Sequence, residues 1–222
     1  MTNLHYEFTG ETTVNRDGVT LRRIRATKDL PNFGVKTGDV GGWIEHTGNL
    51  AGNAWVAYEA MVSGDAEVFG NAKVYGYAWV SGNAKVFGNA RVFDSSEVFG
   101  TARVFDSSEV FGTAKVFGNA QVFGNAQVFD SSEVPNDAHI ESSADYFHAV
   151  TYTSKQFNLT LTRQKAGKHL ISMGCWEGTI DEFESLIAQP RWIETKEEDT
   201  DESRPEMEAL ASMMRARIER WK

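Results

Sequence analysis

The sequence is poor in the residue types that most often carry chemistry. Cys175 is its only cysteine, which rules out an internal disulfide and a cysteine metal cluster. No histidine lies between His46 and His139. No glycine-rich phosphate loop, serine nucleophile elbow or metal-ligand spacing is spelled out. No run reaches the roughly 18 apolar residues of a membrane span. The opening "MTNLHYEFTGETT" lacks the basic and apolar stretches of a secretory signal. These absences predict a protein of the reducing cytoplasm with no metal, no cofactor and no membrane partner.

Basic charge is scarce as well, and the formal net charge is −9. Residues 1–43 carry six basic and five acidic side chains, residues 44–145 five and thirteen, and residues 146–222 eleven and thirteen. The deficit lies in the middle, where a nucleic-acid binder needs the opposite sign. Nucleic acid is therefore not an expected partner.

Repetition is what the chain has in abundance. From Ile44 an aliphatic residue recurs every six positions through Leu50, Val56 and Val62 to Val134 and Ile140, without an insertion. Take that residue as position 1. Position 5 is Ala from Ala54 to Ala144, except at Ser96, Ser108 and Ser132. Position 3 is mostly Gly, or Asp in the "FDSS" units, and position 4 is mostly Asn, Ser or Thr. In a segment such as "AKVF", alternation turns Ala and Val inward and Lys and Phe outward. Gly-Asn or Asp-Ser then makes a corner, since these residues tolerate tight or left-handed backbone. One unit buries nothing alone, so units must stack. Three units make an eighteen-residue coil with three sides, and coils about 4.8 Å apart pair through parallel ladders. Residues 50–145 hold a little over five coils, a prism roughly 25 Å tall on that spacing. The period of six excludes pentapeptide solenoids, and neither the G-G-x-G-x-D calcium repeat nor an outward Thr-x-Thr ice-binding array is present.

The units resemble the hexapeptide repeats of left-handed β-helix proteins. The wording "GNAxV" and the segment "LRRIRATKDL…GVKTGDVGGWIE" (Leu21–Glu45) resemble the YdcK-like β-solenoid proteins of bacteria and their phages. The resemblance covers about residues 18–145. It implies left-handed coiling, and it implies a comparison with acyltransferases, a label such solenoids often carry. In hexapeptide acyltransferases a histidine between subunits serves as general base toward acyl-CoA, and a loop extruded from the repeat lies near the site. Here the register runs from Ile44 to Ile140 unbroken. His46, His139 and His148 read as surface or packing residues, and Cys175 as a small buried apolar residue. Fold does not imply function.

The flanks differ from the coils. Tyr6–Val14 and Val19–Ala26 read as a hairpin around the turn "NRDG", with Trp43 as the lid of the core. Residues 1–43 form a cap, 44–145 the solenoid, and 146–222 an α+β region. In that region Tyr146–Tyr152, Phe157–Arg163 and His169–Cys175 read as three strands, with "KAGK" (Lys165–Lys168) as a turn. Thr179 and Glu182 spell a capping box before a helix. Glu194–Ser203 reads as a solvated acidic loop. From Pro205 a helix places Met207, Leu210, Met214, Ile218 and Trp221 on one side. The fold class is mainly β: a parallel left-handed β-helix with a hairpin cap and a small α+β end.

Two surfaces stand out. Outward position 2 holds Phe69, Phe87, Phe105 and Phe123 in one column and Tyr75, Phe93, Phe111 and Phe129 in a second. Phe99 and Phe117 make a shorter third above Ser63 and Ser81. Rings so spaced can stack and stiffen the prism. Their outer edges predict an apolar surface for self-association, as dimer or trimer, or for a host protein if the chain is phage-encoded. The second surface is the Met-rich helical stripe, which either packs in cis or meets a partner. The function expected is a non-catalytic structural and protein-interaction module. The alternatives are an active or degenerate acyltransferase, and a sponge for small ligands or nucleotides.

Overall fold

The computed structural model describes residues 4–151, 156–191 and 197–221. Strands β1 (Tyr6–Val14) and β2 (Thr20–Ala26) form the antiparallel hairpin the sequence predicts. Asn15 closes its turn, its side-chain oxygen accepting from the N–H groups of Asp17 and Val19. Strand β3 (Val40–Ile44) then pairs antiparallel with β2 on one side and parallel with the first coil on the other.

Fifteen two-residue strands follow at six-residue intervals, β4 (Trp55–Val56) through β18 (His139–Ile140). Each of the first twelve pairs in parallel with the strand eighteen residues on, as Arg91 with Glu109 and Val92 with Val110. Every third strand therefore shares a wall, and three walls result. Position-1 residues and the small position-5 residues fill the shaft, and Leu50, Val56, Val98 and Ile140 are wholly buried. The three serines that replace Ala are buried too. Ser96 and Ser108 each donate to a carbonyl of their own corner and to a valine carbonyl of a neighbouring unit.

Trp43 does not lid the core. As a position-6 residue it turns outward, donates to Glu59 at 3.0 Å and lies under the Arg23 guanidinium, 4.6 Å from its ring centre. The lid comes from the hairpin, where Tyr6 and Ile24 join the central core cluster.

At the other end, β19 (Tyr146–Val150), β20 (Asn158–Arg163), β21 (His169–Met173) and β22 (Trp176–Gly178) form an antiparallel meander. Three strands were expected, and β22 is the fourth. Its pairing with β21 makes Gly174 and Cys175 the hairpin loop, so Cys175 is exposed rather than buried. Tyr152 lies outside the described residues. Helix α1 (Ile180–Ile187) begins at the expected capping box, Thr179 with Glu182. Helix α2 spans Glu197–Glu219, so it starts well before Pro205 and takes in most of the acidic stretch read as a loop. No helix among the described residues is long and apolar enough to cross a membrane.

Candidate binding surfaces

Parallel in-register coils set each residue above its counterpart, so the position-2 rings meet face to face. In the first column Phe69, Phe87, Phe105 and Phe123 have centroids 4.8, 4.9 and 5.1 Å apart, with planes within 7°. In the second, Tyr75, Phe93, Phe111 and Phe129 are spaced 4.9, 5.0 and 5.6 Å. Phe99 and Phe117 lie 5.1 Å apart. The upper ends are closed edge-on, Phe123 by His139 and Phe129 by Tyr146. Stacking leaves these rings half-buried, and Phe129, at 36% exposure, is the most open. Outward-facing therefore does not mean wet: the ladders are ridges whose faces are spent on one another.

The position-6 columns between them pair opposite charges on successive coils. Lys85 meets Glu67 at 2.8 Å, Arg91 meets Glu109 at 3.3 Å and Lys115 meets Glu133 at 3.7 Å.

The Met-rich stripe packs in cis. Met207 and Met214 are fully buried and Ile218 nearly so, against Leu159, Leu161, Ile171 and Phe183. Leu210 and Trp221 flank this second core. Arg215 ties α2 to Glu184 and Asp181 of α1, and these contacts hold both carboxyls below their ordinary values. Arg217 donates to the carbonyls of Ser143, Ala144 and Tyr146, and the Trp221 indole donates to Ala144. The stripe thus packs on the C-terminal sheet and α1, Arg217 and Trp221 tie the helix to the end of the solenoid, and the large apolar residue that α2 exposes among the described residues is Met213.

The histidines hold structure. His46 caps a short turn by accepting from the Gly48 N–H. His148 lies within 3.4 Å of the Ser131 hydroxyl and 3.3 Å of that of Thr160, and burial lowers its pKa. His169 accepts from the Ile180 N–H at the start of α1, and burial lowers its pKa as well. His139 packs against Phe123. No group of three His, Cys, Asp or Glu among the described residues could hold a metal ion.

Sequence reasoning passed over the N-terminal end of one wall, where two clefts meet. A cleft of about 570 Å³ is lined by Arg23, Trp55, Tyr58, Glu59, Lys73 and Tyr77, among others. A second of about 550 Å³ lies beside it, between Lys73, Tyr75, Arg91, Asn71 and Asn89. Phe33, from the short turn Pro31–Phe33, and Lys73 line both. The Lys73 ammonium sits 4.9 Å from the Tyr75 ring centre and 5.8 Å from that of Phe33. Burial, with Arg91 as the second cause, lowers its pKa. The signal in the sequence was a break in the repeat: Tyr58 at a Gly/Asp position and Tyr77 at an Asn/Ser/Thr position. No protein-family model matches this chain, and no curated protein does.

Proposed function

We propose that the protein is a non-catalytic structural and protein-interaction module, a rigid scaffold that self-associates as a dimer or trimer along its phenylalanine columns. The observation that carries this is the unbroken stack: fifteen strands at constant spacing, with rings and ion pairs in register over the same length. A stack without an extruded loop offers a long stiff wall and leaves individuality to the two ends. The resemblance to solenoid proteins of bacteria and phages supports a host protein as a further partner and the cytoplasm as the setting.

Light scattering on the full chain from micromolar to high concentration tests the reading. A dimer or trimer that Phe111→Ser and Phe129→Ser shift toward monomer supports it, and a monomer throughout removes self-association. Micromolar acyl-CoA binding that is lost in His139→Ala or His148→Ala replaces the scaffold by acyl-transfer chemistry.

A further inference from the structure

Among the described residues the outward columns balance their cations except at Lys73 and Arg103. Lys85, Arg91 and Lys115 each face a carboxylate one coil away, and Arg16 and Arg23 of the cap reach Glu97 and Glu59. Lys73 has no such partner among the described residues. Trp55 lies beneath it and Arg91 above it in the ladder. Arg103, the other column cation without an acid, is exposed over the faces of Phe87 and Phe105. Lys73 also lies by ring faces, those of Tyr75 and Phe33, but it is half-buried beside a like charge, and no acid among the described residues stands within ion-pair distance to offset its desolvation.

A second, independent anomaly lines the same cleft. Tyr58 has φ of +57° where the other corners carry Gly, Asp or Asn, and its ring is 67% exposed. The left-handed backbone belongs to every corner at this position; what the fold does not require is a bulky, exposed side chain there in place of Gly, Asp or Asn. Tyr77, one coil on at the same edge, is 73% exposed.

We propose that Lys73, with Arg91 beside it, binds the oxyanion of a small ligand, a carboxylate or a phosphate, whose flat apolar part lies on Tyr58 and Tyr77. The Asn71 and Asn89 amides, 3.4 Å from each other, stand ready to meet the remaining oxygens. Each cleft has the volume of a small-molecule site.

Titration of the full chain with phenyl phosphate, benzoate, inorganic phosphate and phenol, followed by NMR at the Lys73 side chain and the Tyr58 and Tyr77 rings, tests this. Phenyl phosphate or benzoate should saturate and bind more tightly than either inorganic phosphate or phenol, and the tighter of the two names the oxyanion. Lys73→Gln should weaken that binding about tenfold without lowering the melting temperature, since the charge it removes makes no ion pair among the described residues. Tyr58→Gly should weaken phenyl phosphate and leave inorganic phosphate unchanged. Equal affinity in Lys73→Gln, shifts that map elsewhere, or no saturable binding by any of the four overturns the proposal.

Discussion

At the residue scale, the corners carry a rule of their own. Position 3 is left-handed throughout, in Gly64, Gly70 and Gly82 as in Asp94, Asp106 and Asp130. A Cβ built on most of these glycines would come within about 3 Å of the backbone one coil above. The approach is a little closer under a corner that bears a side chain, 2.8–3.0 Å below Asp94, Asp106, Asp130 and Asn136, than under a glycine, 3.0–3.1 Å, so two side chains in succession along a column are disfavoured. The sequence obeys this: along one edge Tyr58, Gly76, Asp94, Gly112 and Asp130 alternate. The aspartates also return something, since Asp94 and Asp106 accept from the Gly112 and Gly124 N–H groups above them at 3.2 Å. Gly112→Ala should accordingly cost more than the about 1–2 kcal/mol of left-handed backbone. Its Cβ meets the Asp130 nitrogen at 2.9 Å, with φ at +72°. Gly10→Ala, at φ +95° with nothing within 4 Å, carries the backbone strain alone. Chemical denaturation of both variants checks this, and equal losses would refute the stacking rule. The inward valines and outward phenylalanines were legible because a period of six fixes both. The corner rule was written in the same letters, yet it shows only when position 3 is sorted by eighteen.

At the scale of elements, the two ends solve opposite problems. Coil N–H groups donate toward the C-terminal end, as Trp55 to Ala72, so the first coil leaves carbonyls open and the last leaves N–H groups open. The N-terminal cap supplies donors: His5 Nε2 to the Ala54 carbonyl at 2.8 Å, and the Tyr6 hydroxyl to Thr47 and Leu50. The C-terminal region supplies acceptors: the Ser143 hydroxyl for Gln127 N–H and the Thr160 hydroxyl for Glu133 N–H, both at 3.1 Å. Thr160→Val keeps the shape and strands that N–H, so it should cost about 1–3 kcal/mol, read by thermal unfolding. A neutral result would mean the cap does not close the ladder. The ends should also be acid-sensitive. Burial lowers the pKa of His5, beside Lys28, and of His148, where Asp130 partly offsets it, from 6.5. A lowered folded pKa makes the unfolded chain bind protons more readily. The stabilisation is complete above 6.5 and is lost as pH falls through the folded values. Hydrogen exchange at about pH 7.5 and about pH 5.5 should show Tyr6–Val14 and Tyr146–Val150 losing protection before the coils, and uniform loss would argue against this. The hairpin and the Thr179 capping box were readable because turn and cap chemistry is local. Strand β22 was not, since three residues show no alternation, and the start of α2 was hidden because its docking residues lie later in the chain.

At the scale of the molecule, each coil is bonded only to its neighbours, so whole coils are in principle removable. The matching segments 92–102 and 104–114 lie twelve residues apart, so they imply growth of the stack by two units at a time as well. The corner rule decides which steps are allowed. Removing residues 92–109 takes out one coil, keeps Val on Val in the shaft, and leaves Tyr58, Gly76, Gly112 and Asp130 along the crowded edge. Removing residues 98–115 deletes the same length and preserves the same hydrophobic rhythm, but it sets Asp94 directly under Asp130, two left-handed side chains where the spacing admits one. Each deletion strips two surface pairs of the kind worth about 0–1 kcal/mol each: both take Glu109 from Arg91, the first also takes Glu97 from Arg16, and the second takes Lys115 from Glu133. Electrostatics therefore separates the two variants little, and the corner favours the first. The corner should decide between them, because a Cβ crowded against the backbone of the next coil cannot be screened by water or relieved by a rotamer. The 92–109 deletion should unfold cooperatively near the parent midpoint, and the 98–115 deletion at distinctly lower denaturant. The reverse order would mean that the columns of rings and charges, rather than the corners, set which coils can follow one another.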